Sequence, residues 1–437
     1  MFHNKKYKLL GTIYNDHMKK VLIITYYWPP SGGAGVQRWL KFAKYLPEFG
    51  WEPIVLTVDP NVASYPQTDE SLEEEASSIE TYRTKTFELY SLYTSLKKNK
   101  EIPYGGFSNE QEPNIVQKTA RFLRGNFFIP DPRRGWNRYA MTKAKELIKK
   151  YNIELVITTS PPHSTQLIGL KLKKLFPNVI WISDLRDPWT DIYFYNKFYP
   201  TKLARSIDSK FEKEVVEHSD ITVTVSPSIQ KTLQNRYPNS AVKVLTNGYD
   251  PTDFGEELFE SKSKNKEIVY AGTITTDYPL KEIIAIAKNN AELHFRFIGS
   301  HPREFREMLE KEKVSDRFVF QKSIPHNEVT REMINAGILL LLIPKVPQNE
   351  GILTGKLFEY IGSKSPILVI GPEGGDVEAI IKETNSGVYI NYNNAVHISN
   401  TDIQELYKTR VNSKSEKYSR KSITKELVRL ISSYESI

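Results

Sequence analysis

The fold is decided by residues 19–59, which read KKVLIITYYWPPSGGAGVQRWLKFAKYLPEFGWEPIVLTVD. An apolar run at 21–26 predicts a buried strand, residues 34–49 predict a helix closed by Gly50, and residues 53–58 predict a second strand. A strand, a helix and a returning strand of these lengths form a β-α-β unit, in which the two strands are parallel. The stretch therefore predicts an α/β protein.

The same alternation continues along the chain after an irregular stretch at about 61–114. Further strands are predicted at 155–159, 179–183, 221–225, 267–270, 294–298, 318–320, 338–343 and 367–370, and further helices at 164–176, 202–218 and 355–363. The segment 246–254, TNGYDPTDF, has the Asn-Gly and Asp-Pro pairs of a linker. We therefore expect two Rossmann-like domains, residues 18–247 and 248–412. A final helix, 413–437, is expected to pack back on the first domain, and residues 1–17 form an N-terminal extension outside the fold.

The composition is that of an ordinary globular protein, and it excludes several kinds of site. Hydrophobic residues make up 39% of the 437 residues, and there is no cysteine. A disulfide, a thiolate metal site and a cysteine nucleophile are therefore excluded, which fits a reducing cytoplasm. The N-terminus has no apolar core of signal-peptide length, and the longest apolar run, at 336–344, is about half as long as a membrane span. We expect a soluble, cytoplasmic protein that can still lie on a membrane surface.

Positive charge is concentrated in residues 114–150. This stretch contains ten Lys or Arg residues against two acidic ones, Asp131 and Glu146, in a chain whose net charge is +8. Aromatic side chains are interleaved with the basic ones, and this combination suits phosphate groups or anionic lipid headgroups. The alternative is a solvated helix face. The side chains expected to meet such a ligand are Arg121, Arg124, Arg133, Arg134 and Trp136.

The loop after the first predicted strand contains Gly33 and Gly35, immediately before a helix. Free backbone amides at a helix N-terminus favour an anion, and glycine lets a phosphate approach closely. A dinucleotide fingerprint is disfavoured because Arg38 stands where the third glycine is required. The alternative is a glycine turn that binds no ligand.

Polar residues follow the next two predicted strands. The loop TSPPHS places His163 ahead of a helix, and the loop SDLRDPWTD concentrates Asp184, Arg186 and Asp187. Because ligands bind at the carboxyl ends of parallel strands, these side chains are candidates for a site. The alternatives are a structural histidine and an ion pair between Arg186 and an aspartate that shapes its loop.

The richest segment of the second half is NEGILTGKLFEYIGSKSPILVIGPEGG, which begins at residue 349. Its glycines imitate a phosphate loop, but Leu357 stands where such a loop needs Ser or Thr. Lys356 and Glu359 lie on one face of the predicted helix, where a lysine can neutralise phosphate and a glutamate can accept the two hydroxyls of a ribose. The alternative is a surface salt bridge between them. Because the sequence has no HExxH or GxSxG motif, no histidine–carboxylate cluster and no clean DxD pair, we predict no metal site.

Five segments together resemble a known family. PPSGGAGVQRWLKFAKYL, DLRDPW, TVSPS, TNGYD and GKLFEYIGSKSPIL, in this order, are similar to bacterial glycosyltransferases of group 1, family 4, over about residues 19–387. The resemblance implies a GT-B fold, in which two Rossmann-like domains face each other across a cleft and a C-terminal helix crosses back. It also implies a nucleotide-diphosphate sugar as co-substrate, no metal or other cofactor, and retention of anomeric configuration. Such enzymes build capsule, exopolysaccharide or lipopolysaccharide on glycan or lipid-diphosphate acceptors at the inner face of the plasma membrane.

The resemblance also implies a role for individual residues. Two positions depart from the family pattern: Gly351 replaces the first glutamate of the E-x7-E motif, with Glu350 one place away, and Thr273 stands where an arginine is expected. Lys356 is then expected to supply the missing charge. The implied catalytic residues are His163, Lys356 and Glu350. The implied donor-binding residues are Gly33, Gly35, Thr273, Gly351, Gly355 and Glu359, and Asp187 joins the acceptor side.

Two other functions compete with glycosyl transfer. A GT-B nucleotide-sugar epimerase shares the donor cleft but needs several carboxylates and histidines there, and His163 is the one that the sequence shows clearly. A non-catalytic scaffold that binds a nucleotide sugar or a membrane would tolerate both departures from the family pattern. Nucleic acid is not an expected partner.

Overall fold

The computed structural model describes residues 18–66, 68–88, 113–255, 267–409 and 411–435, so the predicted extension at 1–17 lies outside the described residues. Two β-sheets form within them. The first sheet contains β1 (Lys19–Ile24), β2 (Trp51–Val58), β3 (Glu80–Thr84), β4 (Leu155–Ser160), β5 (Ile180–Leu185), β6 (Ile221–Thr224) and β7 (Val242–Val244). The second sheet contains β8 (Ile268–Ala271), β9 (Phe295–Ile298), β10 (Phe318–Gln321), β11 (Ile338–Leu342), β12 (Ile367–Gly371) and β13 (Gly387–Asn391).

Both sheets are parallel and doubly wound. The strand order is β3-β2-β1-β4-β5-β6-β7 in the first sheet and β10-β9-β8-β11-β12-β13 in the second. The order reverses between β1 and β4 and again between β8 and β11. Ligands of such sheets bind outside the carboxyl ends of the strands at this reversal. We therefore expect a ligand site among the loops that follow β1, β4, β8 and β11.

Helices cover both sheets, as the alternating sequence pattern predicts. Those of the first half are α1 (Ala34–Tyr45), α2 (Ser71–Ala76), α3 (Ile115–Phe127), α4 (Asn137–Tyr151), α5 (Gln166–Leu175), α6 (Lys202–His218) and α7 (Pro227–Arg236). Those of the second half are α8 (Leu280–Asn289), α9 (Arg303–Lys311), α10 (His326–Asn335), α11 (Gly355–Ser363), α12 (Asp376–Thr384), α13 (Asn400–Lys408) and α14 (Arg420–Glu435). None of these helices has the length and apolar character that crossing a bilayer requires.

The structure differs from the sequence-based expectation in several places. The final helix, predicted over 413–437, begins at Arg420 after a 3₁₀ segment, Ser413–Tyr418. The stretch predicted to be irregular, 61–114, contains α2 and β3 in its described part. The helix predicted over 34–49 ends at Tyr45 and continues as a 3₁₀ turn, Leu46–Phe49. Pro47 lies in that turn and has no backbone N–H to donate, so the α-helical ladder cannot continue through it.

The C-terminal helix packs on the first domain, as the GT-B expectation requires. Ile423, Leu427 and Ile431 of α14 are buried in the same apolar cluster as Trp39 of α1. Their spacing of four residues places them on one face of the helix, and burial of each such side chain contributes about 1.5–3 kcal/mol. The chain therefore crosses between the two halves twice, once through the linker and once ahead of α14.

Candidate active site

The first wall of the site is the N-terminus of α1, which follows β1. Gly33 has φ +100° and forms the N-cap of this helix, a backbone conformation that favours glycine. A Cβ atom added to Gly35 would lie 2.1 Å from Nη1 of Arg186, so the guanidinium lies directly against the first turn. Arg186 Nε also donates to the carbonyl oxygen of Ser160 at 2.9 Å. A fixed positive charge therefore stands beside the free amides of the glycine loop.

His163 lies at the carboxyl end of β4 in the same wall. Its ring stacks on Trp189 with 4.7 Å between centroids, and its Nε2 is buried without a hydrogen-bond partner in the described part of the chain. Burial lowers the pKa of His163, although the nearby carboxylates of Asp131 and Asp187 act in the opposite direction. The imidazole is therefore neutral at physiological pH and retains one nitrogen for a ligand hydroxyl.

Two side chains from the basic stretch hold the loop that carries His163. Asp131 accepts hydrogen bonds from the backbone N–H of Ser164 at 2.6 Å and from its hydroxyl at 2.8 Å. Asn137 donates to the carbonyl oxygen of Ser164 at 2.7 Å. This role could not be predicted from the sequence, because nothing in the local pattern connects residues about thirty positions apart.

Asp184 does not belong to the exposed rim that its loop suggested. Its side chain is fully buried and forms an ion pair with Arg38 at 3.0 Å. Trp39 Nε1 and the hydroxyl of Thr159 donate to the same carboxylate at 2.6 and 2.8 Å. Arg38 also donates to the carbonyl oxygen of Thr246 at 2.9 Å, so the pair joins α1, β5 and the linker. Arg38, which stands where a dinucleotide fingerprint would need its third glycine, therefore has a structural role.

The second wall is built around Lys356, in the first turn of α11. Its Nζ donates to the hydroxyl of Tyr270 at 2.9 Å and lies 4.6 Å from the centroid of that ring. A Cβ atom added to Gly272, which has φ +133°, would lie 2.4 Å from Nζ, so the glycine makes room for the lysine. Burial lowers the pKa of Lys356, with the charges of Tyr278 and Glu359 acting against it. The structure shows Lys356 on Tyr270 rather than in the alternative salt bridge with Glu359.

The N-terminus of α11 has the features of an anion site. Thr354 forms its N-cap in an extended conformation, and its hydroxyl oxygen is buried without a partner among the described residues. Gly355 begins the helix, so no side chain covers its first free amides. Glu359, one turn further along, is half-buried, and its charge reaches Arg420 and His326. The start of α11 therefore offers a cation in Lys356 and hydrogen-bond donors in its free amides. Glu359 adds a hydrogen-bond acceptor one turn further along.

The remaining predicted donor residues lie around these two walls. Thr273 is exposed after β8, and its carbonyl oxygen accepts from the hydroxyl of Tyr270 at 3.0 Å. Gly351 is buried, and a Cβ atom added there would lie 3.2 Å from the hydroxyl oxygen of Ser226 in the other half of the chain. Glu350 is exposed. The roles assigned to Thr273, Gly351 and Glu350 stay predictions.

The two halves of the chain also meet at a helix cap. Asp376, at the start of α12, accepts hydrogen bonds from the backbone N–H and from the hydroxyl of Ser228, both at 2.9 Å. Ser228 lies in the first turn of α7, where a carboxylate is favoured by the free amides and the helix dipole. This contact and the approach at Gly351 join the halves beside the site.

The residues expected to form one acceptor and membrane surface do not lie together on one surface. The prediction for Trp136 is wrong: its ring is fully buried in the core, and its Nε1 donates to the hydroxyl of Thr84 at 2.9 Å. Arg121 and Arg133 are each only 8% exposed, and Arg133 donates to the carbonyl oxygen of Ser64. Only Arg124 and Arg134 of the set are exposed. Composition showed the charge but not which side of each element faces solvent.

A comparison with protein families matches one segment of the chain. Residues 103–253 match the family described as Glycosyltransferase Family 4. This stretch of the chain is similar to that family. It contains His163, Arg186 and most of the linker. A comparison with curated protein sequences gave no significant match.

Solved structures share the architecture of the whole chain. Sucrose-phosphate synthase from Thermosynechococcus elongatus is 12% identical over 96% of this chain and 99% of its own, with a TM-score of 0.57. The N-terminal domain of Candida albicans trehalose-6-phosphate phosphatase is 13% identical over 95% and 97%, with a TM-score of 0.59. The lipopolysaccharide outer core galactosyltransferase WaaB is 12% identical over 95% and 99%, with a TM-score of 0.56. At these identities the likeness concerns the fold, which is that of the GT-B enzymes.

Proposed function

We propose that this protein transfers a sugar from a nucleotide-diphosphate sugar to the hydroxyl of an acceptor. One observation carries the proposal: each domain presents a helix N-terminus and a cation in the loops that follow its strands. In the first domain these are the start of α1 and Arg186, and in the second they are the start of α11 and Lys356. A diphosphate between them would meet positive charge from both sides.

The donor nucleotide is proposed to bind to the second domain. Glu359 supplies a half-buried carboxylate that can accept hydrogen bonds from both ribose hydroxyls. Lys356 and the hydroxyl of Thr354 then lie at the phosphates, one turn closer to the start of α11. Two groups support this arrangement. Lys356 is a partly buried cation that donates to a neutral tyrosine hydroxyl, and the hydroxyl of Thr354 is buried without a partner among the described residues. Both are unfavourable until an anion arrives.

The chemical step is proposed to depend on charge more than on acid–base groups. As the bond between the sugar and the diphosphate breaks, negative charge grows on the leaving group, and Lys356 with Arg186 stabilises it without a required metal ion. The neutral imidazole of His163 is proposed to hold a hydroxyl of the transferred sugar. The acceptor oxygen then bonds to the anomeric carbon on the face that the diphosphate leaves, and its proton passes to the departing diphosphate, with retention of configuration. Contact between the domains at Gly351 and Asp376 would exclude water.

The acceptor is proposed to be a glycan or a lipid-diphosphate-linked glycan in the biosynthesis of a cell-surface polysaccharide, at the cytoplasmic face of a membrane. This class is supported by the match to Glycosyltransferase Family 4 and by the shared architecture with WaaB, a lipopolysaccharide outer core galactosyltransferase. Asp187, close enough to His163 to affect its pKa, stands on the side of the first domain from which an acceptor would approach.

A non-catalytic scaffold that binds a nucleotide sugar is the second candidate. It is favoured by Thr273 and Gly351, which stand where the family carries an arginine and a glutamate. Such a protein would keep Glu359 and the start of α11 but would have lost the stabilisation of a leaving diphosphate. The two functions differ in turnover and not in binding.

The test is a panel of nucleotide sugars that differ in base and in sugar. Thermal unfolding of the full chain is followed with each compound, because a ligand that binds the native state raises the melting temperature by mass action. We expect one base to raise it more than the others, and the matching sugar to release free nucleoside diphosphate when an acceptor extract is added. Stabilisation without release would favour the scaffold, and no stabilisation by any nucleotide would refute both functions.

A further inference from the structure

Large apolar side chains are exposed on two neighbouring helices of the first domain. Ile115 and Phe127 of α3 are 82% and 73% exposed, and Leu203 of α6 is 72% exposed. Val116, Phe122, Leu123 and Ile207 are exposed as well. We call the exposed faces of residues 115–127 and 199–209 the α3–α6 surface.

Helix α3 is oriented with its apolar side toward solvent. Phe122 and Leu123 follow Ile115 and Val116 at the seven-residue spacing of one helical face. Arg121 lies on the opposite face and is 8% exposed. Gly125 also faces the protein, because a Cβ atom added there would lie 2.3 Å from the carbonyl oxygen of Phe198. An amphipathic helix on a globular core normally has the reverse orientation.

The two helices form one continuous surface. Asn126 of α3 donates to the carbonyl oxygen of Tyr199 at 3.1 Å and accepts from the backbone N–H of Thr201 at 2.7 Å. Thr201 is the N-cap of α6, so these bonds fix the start of α6 beside the end of α3. Leu203 and Ile207 then lie one turn apart at the start of α6, and Phe127 is the last residue of α3.

The charges of this surface have one sign. Lys118, Arg124, Lys202 and Arg205 are exposed, and residues 115–127 contain no acidic residue. The one acidic residue of 199–209 is Asp208, which is only 4% exposed and accepts hydrogen bonds from Trp189 and Tyr195. Apolar side chains bordered by cations, with no exposed carboxylate, match the surface of an anionic bilayer.

We propose that the α3–α6 surface binds an anionic lipid bilayer, with Phe127 and Leu203 entering the headgroup region and the cations meeting lipid phosphates. The charge pattern selects a membrane over a second copy of this chain, because two such surfaces would repel each other. The biological role of this membrane binding rests on the proposed function, because the enzyme would reach a lipid-linked acceptor from this side. The binding itself does not require the donor chemistry.

The experiment is sedimentation of the full chain with vesicles of phosphatidylcholine containing rising amounts of phosphatidylglycerol. The parent is compared with the double variant Phe127→Ser, Leu203→Ser. The matched control is Val62→Ser, Val319→Ser, because these residues are 45% and 53% exposed and lie outside the surface. We expect the parent and the control to bind anionic vesicles equally and the double variant to bind at least about tenfold more weakly. Replacing Lys118 and Lys202 by Ser should weaken binding by about fivefold for each cation at low salt.

Three results would overturn the proposal. The parent could fail to sediment with vesicles, or the double variant could bind as well as the control. In the third case, sedimentation equilibrium without lipid would show a dimer of the parent that the double variant loses, which would make the surface a contact between copies. Melting temperatures of all variants check that each one folds. Nucleotide affinity, measured on the same samples, separates failure of this proposal from failure of the proposed function.

Discussion

Lys356 is a cation whose nearest partner is a neutral hydroxyl. Its Nζ contacts Tyr270, and burial lowers its pKa. Placing a charge in such an environment is unfavourable unless an anion completes it. Gly272 contributes to this arrangement, because its missing side chain leaves space for the lysine. Together these residues indicate that the lysine is held ready for a ligand.

Loss of Lys356 is expected to slow transfer more than it weakens nucleoside binding. Lys356→Ala should lower kcat by roughly a hundredfold to a thousandfold, because charge on the leaving diphosphate is greatest in the transition state. Gly272→Ala should also lower kcat, because the new Cβ atom would displace the lysine side chain. Steady-state kinetics and calorimetry with a nucleoside monophosphate measure the two quantities. Lys382→Ala, an exposed lysine of α12, is the control, and equal kcat for it and Lys356→Ala would contradict the assignment.

Glu359 is expected to bind the donor ribose. Glu359→Gln removes a charged acceptor worth about 1.5–3 kcal/mol, so the dissociation constant of the nucleotide should rise roughly ten- to a hundredfold. Isothermal calorimetry measures this constant directly. Glu405→Gln, an exposed glutamate on α13, should leave it unchanged. Unchanged affinity in both variants would remove Glu359 from the site.

At the scale of elements, α6 connects the His163 loop to the domain surface. Asp208 on this helix accepts hydrogen bonds from Trp189 Nε1 at 2.7 Å and from the Tyr195 hydroxyl at 2.8 Å. Trp189 in turn stacks on His163. Burial raises the pKa of Asp208 to about 6, although both hydrogen bonds act in the opposite direction. The indole ring of Trp189, which stacks on His163, is therefore held by the carboxyl group of Asp208, and this group titrates close to neutrality.

Titration of the Asp208 carboxyl group should make the free energy of unfolding depend on pH. The native state binds a proton with a pKa of about 6 and the unfolded chain with one of 3.8, so the free energy of unfolding falls as pH rises from about 4 to 6. The difference is at most about 3 kcal/mol. Asp208→Asn cannot titrate, so its stability relative to the parent should rise over this range. Urea unfolding at intervals between pH 4 and 8 measures it, and parallel curves for both proteins would contradict the assignment.

At the scale of the whole molecule, polar contacts hold the two domains beside the site. Asp376 of the second domain caps α7 of the first through Ser228. Near the linker, Lys41 of α1 forms ion pairs with Asp250 and Glu75, each at 2.8 Å. Such contacts are specific but individually weak, which suits domains that must open for a substrate and close for the reaction.

Loss of the cap at Asp376 is expected to open the domains. Asp376→Asn should lower the stability of the contact by about 1 kcal/mol and raise the KM for the donor, because closure completes its site. Hydrogen exchange at the first turn of α7 and small-angle scattering report the opening. Glu378→Gln, in the same turn of α12 but paired with Lys382, is the control. Exchange in Asp376→Asn no faster than in this control would show that the cap does not hold the domains.

Much of the fold could be predicted because it follows from local periodicity. The bounds of α6 and α11 were predicted as the structure shows them, since both helices are amphipathic and clearly delimited. The strands β3, β7 and β13 were not predicted, because they lie at the edges of their sheets and lack the buried apolar run that marks the inner strands. They exist because a neighbouring strand supplies hydrogen-bond partners.

The sequence by itself determined the α/β class, the two halves, the glycine loop, the place of His163 after a strand, and the place of Lys356 and Glu359 on one helix. These follow from residue spacing, which acts over a few positions. Only the tertiary structure decided that Arg38 pairs with Asp184, that Trp136 lies in the core, and that α3 turns its apolar face to solvent. Each of these depends on which side of an element meets a distant part of the chain. Charge and hydrophobicity show what a residue prefers, whereas packing between remote segments decides which preferences are met.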